Sequence, residues 1–220
     1  MPSNDYYLQI FHEIKNSVTL INSYLQLIEK KFPEITSHDY WSTSRVETAR
    51  LRSIVTEISQ VKPHNELHFE QIDLTKFITE CCNGFQCYAE VNNLSFSLNI
   101  PDEPLFCSID RKQLHHVFSN LFKNACESMQ HQGQIEVSVV PDATDIKIHI
   151  TDTGCGIAPT VIDHIFDLFV TTKEEGSGLG LNIAKQIITA HHGTISVISQ
   201  EGEGTTFTIT LPYQDSNINI

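Results

Sequence analysis

The chain has 220 residues, with 14 Lys and Arg against 27 Asp and Glu, a formal net charge of −13. At about 150 residues per domain this allows one domain, or a small one beside a medium one, and excludes a solenoid array or a large multidomain enzyme. Such an acidic chain repels nucleic-acid backbones and anionic lipid, so any bound phosphate needs a local trap. Hydrophobic content of 40% with 19% charged residues marks a folded chain, and no apolar run approaches the ~20 residues that span a bilayer, so no membrane insertion is expected.

The first segment carries an apolar seam at Tyr7, Phe11, Ile14, Val18, Ile21, Leu25 and Ile28, a heptad spacing that predicts a helix packing on another helix. Phe32-Pro33 ends it. Ser37 or Asp39 is expected to cap a second helix carrying Leu51, Ile54, Ile58 and Val61, stopped by Lys62-Pro63. The two form an antiparallel hairpin covering residues 1–63. One hairpin buries too little surface to stand alone, so a homodimer closing a four-helix bundle is expected.

From about residue 66 to 213 the pattern becomes α/β. Helices are predicted over 73–88, 111–130 and 179–192, and strands over 94–100 and 106–109. A hairpin is expected from 135–140 and 145–150 around Pro141-Asp142-Ala143-Thr144, and a second from 194–199 and 205–211 across Glu201-Gly202-Glu203-Gly204. Residues 214–220 read as a frayed tail.

Several constellations stand out against this frame. On the helix from Arg111, residues Leu114, Val117, Phe118, Leu121, Phe122, Ala125 and Met129 make the buried face, while Asn120, Asn124 and Glu127 share another. Asparagine is a mediocre helix former, so the pair either offers an amide oxygen to a hard cation or is simply solvated. The strand from Asp145 runs into Asp152-Thr153-Gly154-Cys155-Gly156-Ile157, a carboxylate followed by two glycines that let backbone approach a flat ligand. An exocyclic amine would suit Asp152; an ordinary turn with a solvated Asp is the plainer reading. Gly176-Ser177-Gly178-Leu179-Gly180 lies directly ahead of a helix, where backbone N–H groups attract phosphate, and Lys173 can add a point charge.

The glycine loop lacks the Gly-Lys-Ser/Thr of a Walker A motif and the strand-first spacing of dinucleotide folds. The histidine pairs His115-His116 and His191-His192 point ~100° apart on a helix and cannot easily share a metal, so they are expected on the surface. The six cysteines show no C-x-x-C pair, and no signal peptide opens the chain. Reduced thiols and a cytoplasmic location are therefore expected.

Taken in order, Asn120-x3-Asn124-Ala125, Asp152-x-Gly154-x-Gly156-Ile157, Phe166-x-x-Phe169, Gly176-x-Gly178-Leu179-Gly180-Leu181 and Gly202-x-Gly204-Thr205-x-Phe207 resemble the N, G1, F, G2 and final glycine boxes of sensor histidine kinases. Phe11-His12-Glu13-Ile14-Lys15-Asn16 resembles the H box of their dimerisation and phosphotransfer domain, of the nitrogen-regulation type. The resemblance covers about residues 6 to 212. It implies a Bergerat-type α/β sandwich that binds ATP, with Asp152 accepting from the adenine amino group and Thr205 and a water alongside. Gly154 and Gly156 leave room for the base, and Gly176, Gly178, Leu179 and Gly180 donate backbone N–H groups to the phosphates. Asn124 holds Mg²⁺ through its amide oxygen, and Lys123, Ile157, Thr172 and Lys173 complete the implied nucleotide site. Asn120 stands where gyrase-like relatives carry a hydrolytic Glu, and an amide cannot deprotonate water, so the γ-phosphoryl is kept for another acceptor.

By the same resemblance that acceptor is His12, on the accessible side of the first helix, with Glu13 holding one ring nitrogen so that the other attacks phosphorus. Asn16, one turn on, matches the position that orients water for dephosphorylating a partner. The implied partner is a response-regulator receiver domain, with no nucleic acid. Ser17 departs from the pattern, which carries proline there and so bends the helix. Only eleven residues precede His12, so either the chain is a catalytic core cut from something longer or a separate sensor protein supplies the signal. Two other readings remain: a phosphorelay adaptor whose ATP domain has decayed, against which the intact glycine boxes and Asn124 argue, and a gyrase-like ATPase or serine kinase, which would not need His12-Glu13 on a heptad helix.

Overall fold

The computed structural model describes residues 4–60, 67–129, 132–173 and 176–213, with only the backbone described for 4–12, 58–60 and 87. The chain divides into two compact units, one of Met1–Lys62 with Leu168–Gly180 and the other of Pro63–Asp167 with Leu181–Ile220.

In the first unit, helix α1 (Asn4–Lys31) and helix α2 (Asp39–Gln60) are joined by a 3₁₀ turn over Pro33–Ser37. They run antiparallel: the Trp41 indole donates to Glu29 at 2.9 Å, Arg45 lies 3.1 Å from the same carboxylate, and Arg45 also donates to the Asn22 amide oxygen at 2.8 Å. Val18 and Val55 are buried at 3% and 4% exposure, whereas Ile14, Ile21 and Leu51 of the predicted seam remain exposed. Tyr7 and Phe11 of the seam, and Ile58 and Val61, have side chains outside the described residues, as does the Lys62-Pro63 stop. Neither expected cap is used, because the Ser37 hydroxyl turns back to the Glu34 carbonyl at 2.8 Å and Asp39 stands inside the first turn. Helix α1 passes unbroken through Ser17, whose hydroxyl donates to the Glu13 carbonyl at 2.9 Å.

The second unit is a mixed helix and sheet fold. Strands β1 (Glu70–Asp73), β2 (Leu94–Asn99), β3 (Phe106–Ile109), β4 (Gly133–Pro141), β5 (Asp145–Asp152), β6 (Thr194–Gln200) and β7 (Gly204–Pro212) form two sheets. One pairs β1 with β3 antiparallel, and the other has five strands in the order β2-β4-β5-β7-β6. Strands β2 and β4 are parallel and the remaining pairs of the larger sheet antiparallel, which includes both predicted hairpins. Helices α3 (Leu74–Val91), α4 (Arg111–Ser128), the short α5 (Pro159–Ile162) and α6 (Gly180–Ala190) complete it.

Alternation decides which sheet face is covered. Ile135, Val137 and Val139 of β4, Ile146, Ile148 and Ile150 of β5, and Phe207, Ile209 and Leu211 of β7 are buried, while the residues between them are not. A period of two places each set on one side. The α4 face read from the sequence is buried as expected, and Phe118 and Phe122 meet Phe77 and Phe85 of α3 and Phe96 of β2 with ring centroids 5.1–5.8 Å apart. Helices α3 and α4 are capped alike: the Asp73 carboxylate accepts from Thr75 and Lys76 N–H, and Asp110 from Lys112 and Gln113 N–H. Each cap contributes about 1 kcal/mol.

One histidine expectation is corrected. His191 is 3% exposed rather than on the surface, because both ring nitrogens find backbone partners, the Asp110 N–H and the Ile187 carbonyl. His116 is half-buried on α4. Strand β1 is too short to show any alternation, and only its register against β3 reveals it. No helix among the described residues is long and apolar enough to cross a membrane.

Candidate functional site

Strand β5 delivers Asp152 to the buried face of the sheet at 5% exposure. Its Oδ1 atom accepts from the Gly154 N–H at 2.9 Å and, at 3.0 Å, shares the one proton of the Ser128 hydroxyl with the Ala125 carbonyl, which lies 2.8 Å from that hydroxyl. The carboxylate is thus oriented by the Gly154 N–H, with the Ser128 hydroxyl as a shared second donor, before any ligand arrives, in a place where an uncompensated charge would be costly. Ser128 ends α4, and its carbonyl accepts the Cys155 N–H at 3.1 Å, so the helix carrying Asn120 and Asn124 is tied to the loop that follows Asp152. Both asparagines are half-buried on α4, and Lys123 between them is exposed, 3.8 Å from Glu127.

Register sets the next neighbours. Asp152 stands opposite Thr205 of β7, and Thr205 opposite Ser199 of β6, so three side chains form a row across the same sheet face. Thr205 is 5% exposed. Ser199 holds the loop as well, for its hydroxyl accepts the Ile157 N–H at 2.9 Å and donates to the Gly204 carbonyl at 2.8 Å.

Two glycines are required by space and backbone. A Cβ at Gly154 would strike the Ser128 hydroxyl and come within 2.7 Å of Asp152 Oδ1, and Gly156 has φ +69° with the Gln200 carbonyl where its Cβ would be. The predicted residues Asp152, Gly154, Gly156, Ile157 and Thr205 are therefore brought together, with α4 and its asparagines joined to them through Ser128.

The remaining predicted residues belong to the first unit. His12 lies on α1, its side chain outside the described residues, and Glu13 and Asn16 are exposed on the same helix. In the glycine loop, Gly176 N–H bonds the Lys173 carbonyl at 3.2 Å and Phe169 N–H the Gly178 carbonyl at 3.0 Å, while Thr172 is exposed. The Ser177 hydroxyl donates to Glu57 of α2 at 2.6 Å and accepts the Leu179 N–H at 3.2 Å. Gly180 opens α6.

Residues 109–215 match the family described as histidine kinase-, DNA gyrase B- and HSP90-like ATPase. Sporulation kinase A of Bacillus subtilis (strain 168) is 34% identical over 204 residues, 92% of this chain and 33% of that protein. The catalytic domain of histidine kinase ThkA is 29% identical at a TM-score of 0.62, over 67% of this chain and 97% of that one. ThkA in complex with response regulator protein TrrA aligns over 97% of this chain and 63% of that one, at 26% identity and a TM-score of 0.68. Residues 109–215 thus carry the ATPase fold of the matched family, and along nearly its whole length the chain is similar to sensor histidine kinases. It spans about a third of the length of sporulation kinase A.

Among these site residues Ser128 and Ser199 went unmarked in the sequence. Neither lies in a spacing that marks chemistry, and each earns a place only through the hydrogen bonds above. Ser128 is one turn past Asn124 on the same helix, a signal that periodicity alone could have raised. For Ser199 no sequence signal exists, because its partners come from two separate segments, the loop after Asp152 and the start of β7.

The residues fit the groups the family binds. A buried carboxylate oriented by the Gly154 N–H and facing Thr205 across the strand pair suits a ligand bearing an amine. Among the described residues no three His, Cys, Asp or Glu side chains group to hold a metal, so a hard cation here would rest on the Asn124 amide oxygen with nucleotide and water oxygens.

Proposed function

We propose that this chain is the core of a two-component histidine kinase, which binds ATP, transfers the γ-phosphoryl to His12 and passes it to an aspartate of a response-regulator receiver domain. The observation that carries the nucleotide half is Asp152, buried at the end of β5 and held by Ser128 and Gly154 next to Thr205, inside the segment that matches the ATPase family. The family relationship along nearly the whole chain supports the other half, since sporulation kinase A and the ThkA–TrrA complex align through the helical hairpin as well.

In this reading residues 66–213 form the ATP-binding domain and 1–63 the dimerisation and phosphotransfer hairpin. Asp152 accepts from the adenine amine, with Thr205 beside it. The backbone N–H groups of Gly176, Gly178, Leu179 and Gly180 take the phosphates, those of Gly176 and Leu179 on leaving the Lys173 carbonyl and the Ser177 hydroxyl, and Lys173 adds charge. Asn124 holds Mg²⁺, which when bound neutralises charge on the phosphates during transfer. One nitrogen of His12 forms the bond to phosphorus as the bond to the bridging oxygen breaks and ADP leaves with that electron pair; Glu13 takes the proton from the other ring nitrogen. Asn120, an amide where hydrolytic relatives carry a base, leaves water unactivated.

Ile14, Ile21 and Leu51 stay exposed on one hairpin, which supports a homodimeric four-helix bundle that covers them. Asn16, exposed one turn after His12, is suited to orienting water in the reverse dephosphorylation. A cytoplasmic location goes with this assignment.

Incubation with γ-labelled ATP and Mg²⁺ should give an acid-labile, base-stable phosphoprotein. The label should vanish in His12→Ala while nucleotide binding persists, and label retained in that variant would overturn the role of His12. A phosphorelay adaptor would give no ATP-dependent label at all.

A further inference from the structure

A serine hydroxyl has one proton and two lone pairs. The Gly204 carbonyl can only accept, so the Ser199 proton lies on the 2.8 Å bond to it. The Ile157 N–H at 2.9 Å takes one lone pair. The remaining contact, 2.9 Å to Thr205 Oγ1, then has one possible direction: Thr205 donates and Ser199 accepts. Ser199 is saturated, and the only proton of Thr205 is committed. What Thr205 has left is lone pairs, on a side chain 5% exposed and directly across the strand pair from the Asp152 carboxylate.

We propose that Ser199 is a positioning residue that fixes Thr205 as an acceptor and so sets the base preference of the purine site, toward an exocyclic amine and against a ring carbonyl. The inference rests on the nucleotide reading given above and adds to it a cause for the preference. With Asp152 alone, one acceptor faces the ligand and a neighbouring hydroxyl could rotate to donate to a carbonyl. With Ser199 holding that proton, the row Asp152-Thr205 presents acceptors only. A guanine or hypoxanthine carbonyl then meets lone pair against lone pair, and sites built for one hydrogen-bond polarity reject the other.

The test compares ATP and GTP affinities by calorimetry in the intact chain, for the native protein, Ser199→Ala, Ser199→Cys, Ser199→Thr and Thr205→Val. Ser199→Ala frees the Thr205 proton and should narrow the ATP-to-GTP preference about tenfold, mainly by tighter GTP binding. Ser199→Cys keeps a donor for Gly204 but is a weak acceptor, so it should narrow the preference in the same direction even if the alanine variant is unstable. Ser199→Thr, which retains the hydroxyl, should restore the native ratio. In a Thr205→Val background, Ser199→Ala should change the ratio no further, a result that a purely structural role for Ser199 would not give. An unaltered ratio in folded Ser199→Ala and Ser199→Cys overturns the inference and leaves the nucleotide site standing, whereas failure of the native protein to bind either nucleotide removes the site itself.

Discussion

The Nε2 atom of His191 accepts the backbone N–H of Asp110 at 2.9 Å, joining positions 81 residues apart in sequence. The ring's other nitrogen, Nδ1, lies 2.7 Å from the Ile187 carbonyl. Since a carbonyl only accepts and an N–H only donates, the imidazole is neutral and carries its proton on Nδ1. The edge of the Phe69 ring packs against it with centroids 5.2 Å apart. One side chain thereby anchors the end of α6 to the residue that caps α4.

Replacing His191 by Ala should therefore destabilise the fold by ~2–4 kcal/mol, through two lost buried hydrogen bonds and a vacated ring volume. Urea unfolding followed by circular dichroism would read this as a lower midpoint with an unchanged slope. The neighbouring His192→Ala, at an exposed position, should stay within ~0.5 kcal/mol of the native protein.

Ser128 should matter to nucleotide binding without touching the phosphates. Ser128→Ala removes the donor that Asp152 shares with the Ala125 carbonyl, and ATP affinity should fall by about threefold to tenfold, up to the value of one hydrogen bond to a charged acceptor. Asp152→Ala and Asn124→Ala should each abolish measurable binding while the circular dichroism spectrum is retained. Unchanged affinity in both would contradict the assignment of the site.

Gly154→Ala should act on the same carboxylate by volume instead of by bonding. The added methyl would press on the Ser128 side chain and on Asp152 Oδ1, displacing the oriented oxygen. ATP affinity should drop at least as far as in Ser128→Ala, and calorimetry of the two variants under one buffer would compare them.

The buried thiols give the fold an alkaline limit. Burial pushes Cys81 and Cys82 up from 9.0 to about 12 and Cys107 up to about 11. Between these values and 9 the unfolded chain loses thiol protons that the native protein keeps, so the contribution to stability is complete below pH 9 and declines as pH rises toward 11–12. Thermal melts should accordingly show a falling Tm from pH 9 to pH 11, less steep in Cys82→Ala relative to its own value at pH 8. In the native protein at pH 8, alkylation should mark the exposed Cys155 ahead of Cys81, Cys82 and Cys107.

Much of this was legible in the amino-acid order where periodicity carries the information. The α4 stripe, the β4–β5 and β6–β7 hairpins and the antiparallel α1–α2 pair all follow from repeating spacings, and Asp152, Gly154 and Gly156 from a carboxylate followed by spaced glycines, whereas Thr205 comes only from the family resemblance. Pairing between distant segments left no such trace. The β1–β3 ladder has four residues on each side, too few to alternate visibly. Parallel contact of β2 with β4 depends on the chain returning through α4. Ser199 and His191 were hidden for the same reason: a polar residue on a strand edge or after a helix looks solvated until its partners, brought from elsewhere by the fold, are known.

The central position of β5 and β7 in the five-stranded sheet has a consequence for timescale. Edge strands fray by small local openings, whereas amides in the middle of a sheet exchange with solvent hydrogen only when the whole cooperative unit opens. The Asp152-Thr205 pair is planted on those two middle strands. In deuterium exchange their backbone protons should be among the slowest in the chain, so that the base-reading floor endures until the entire domain melts.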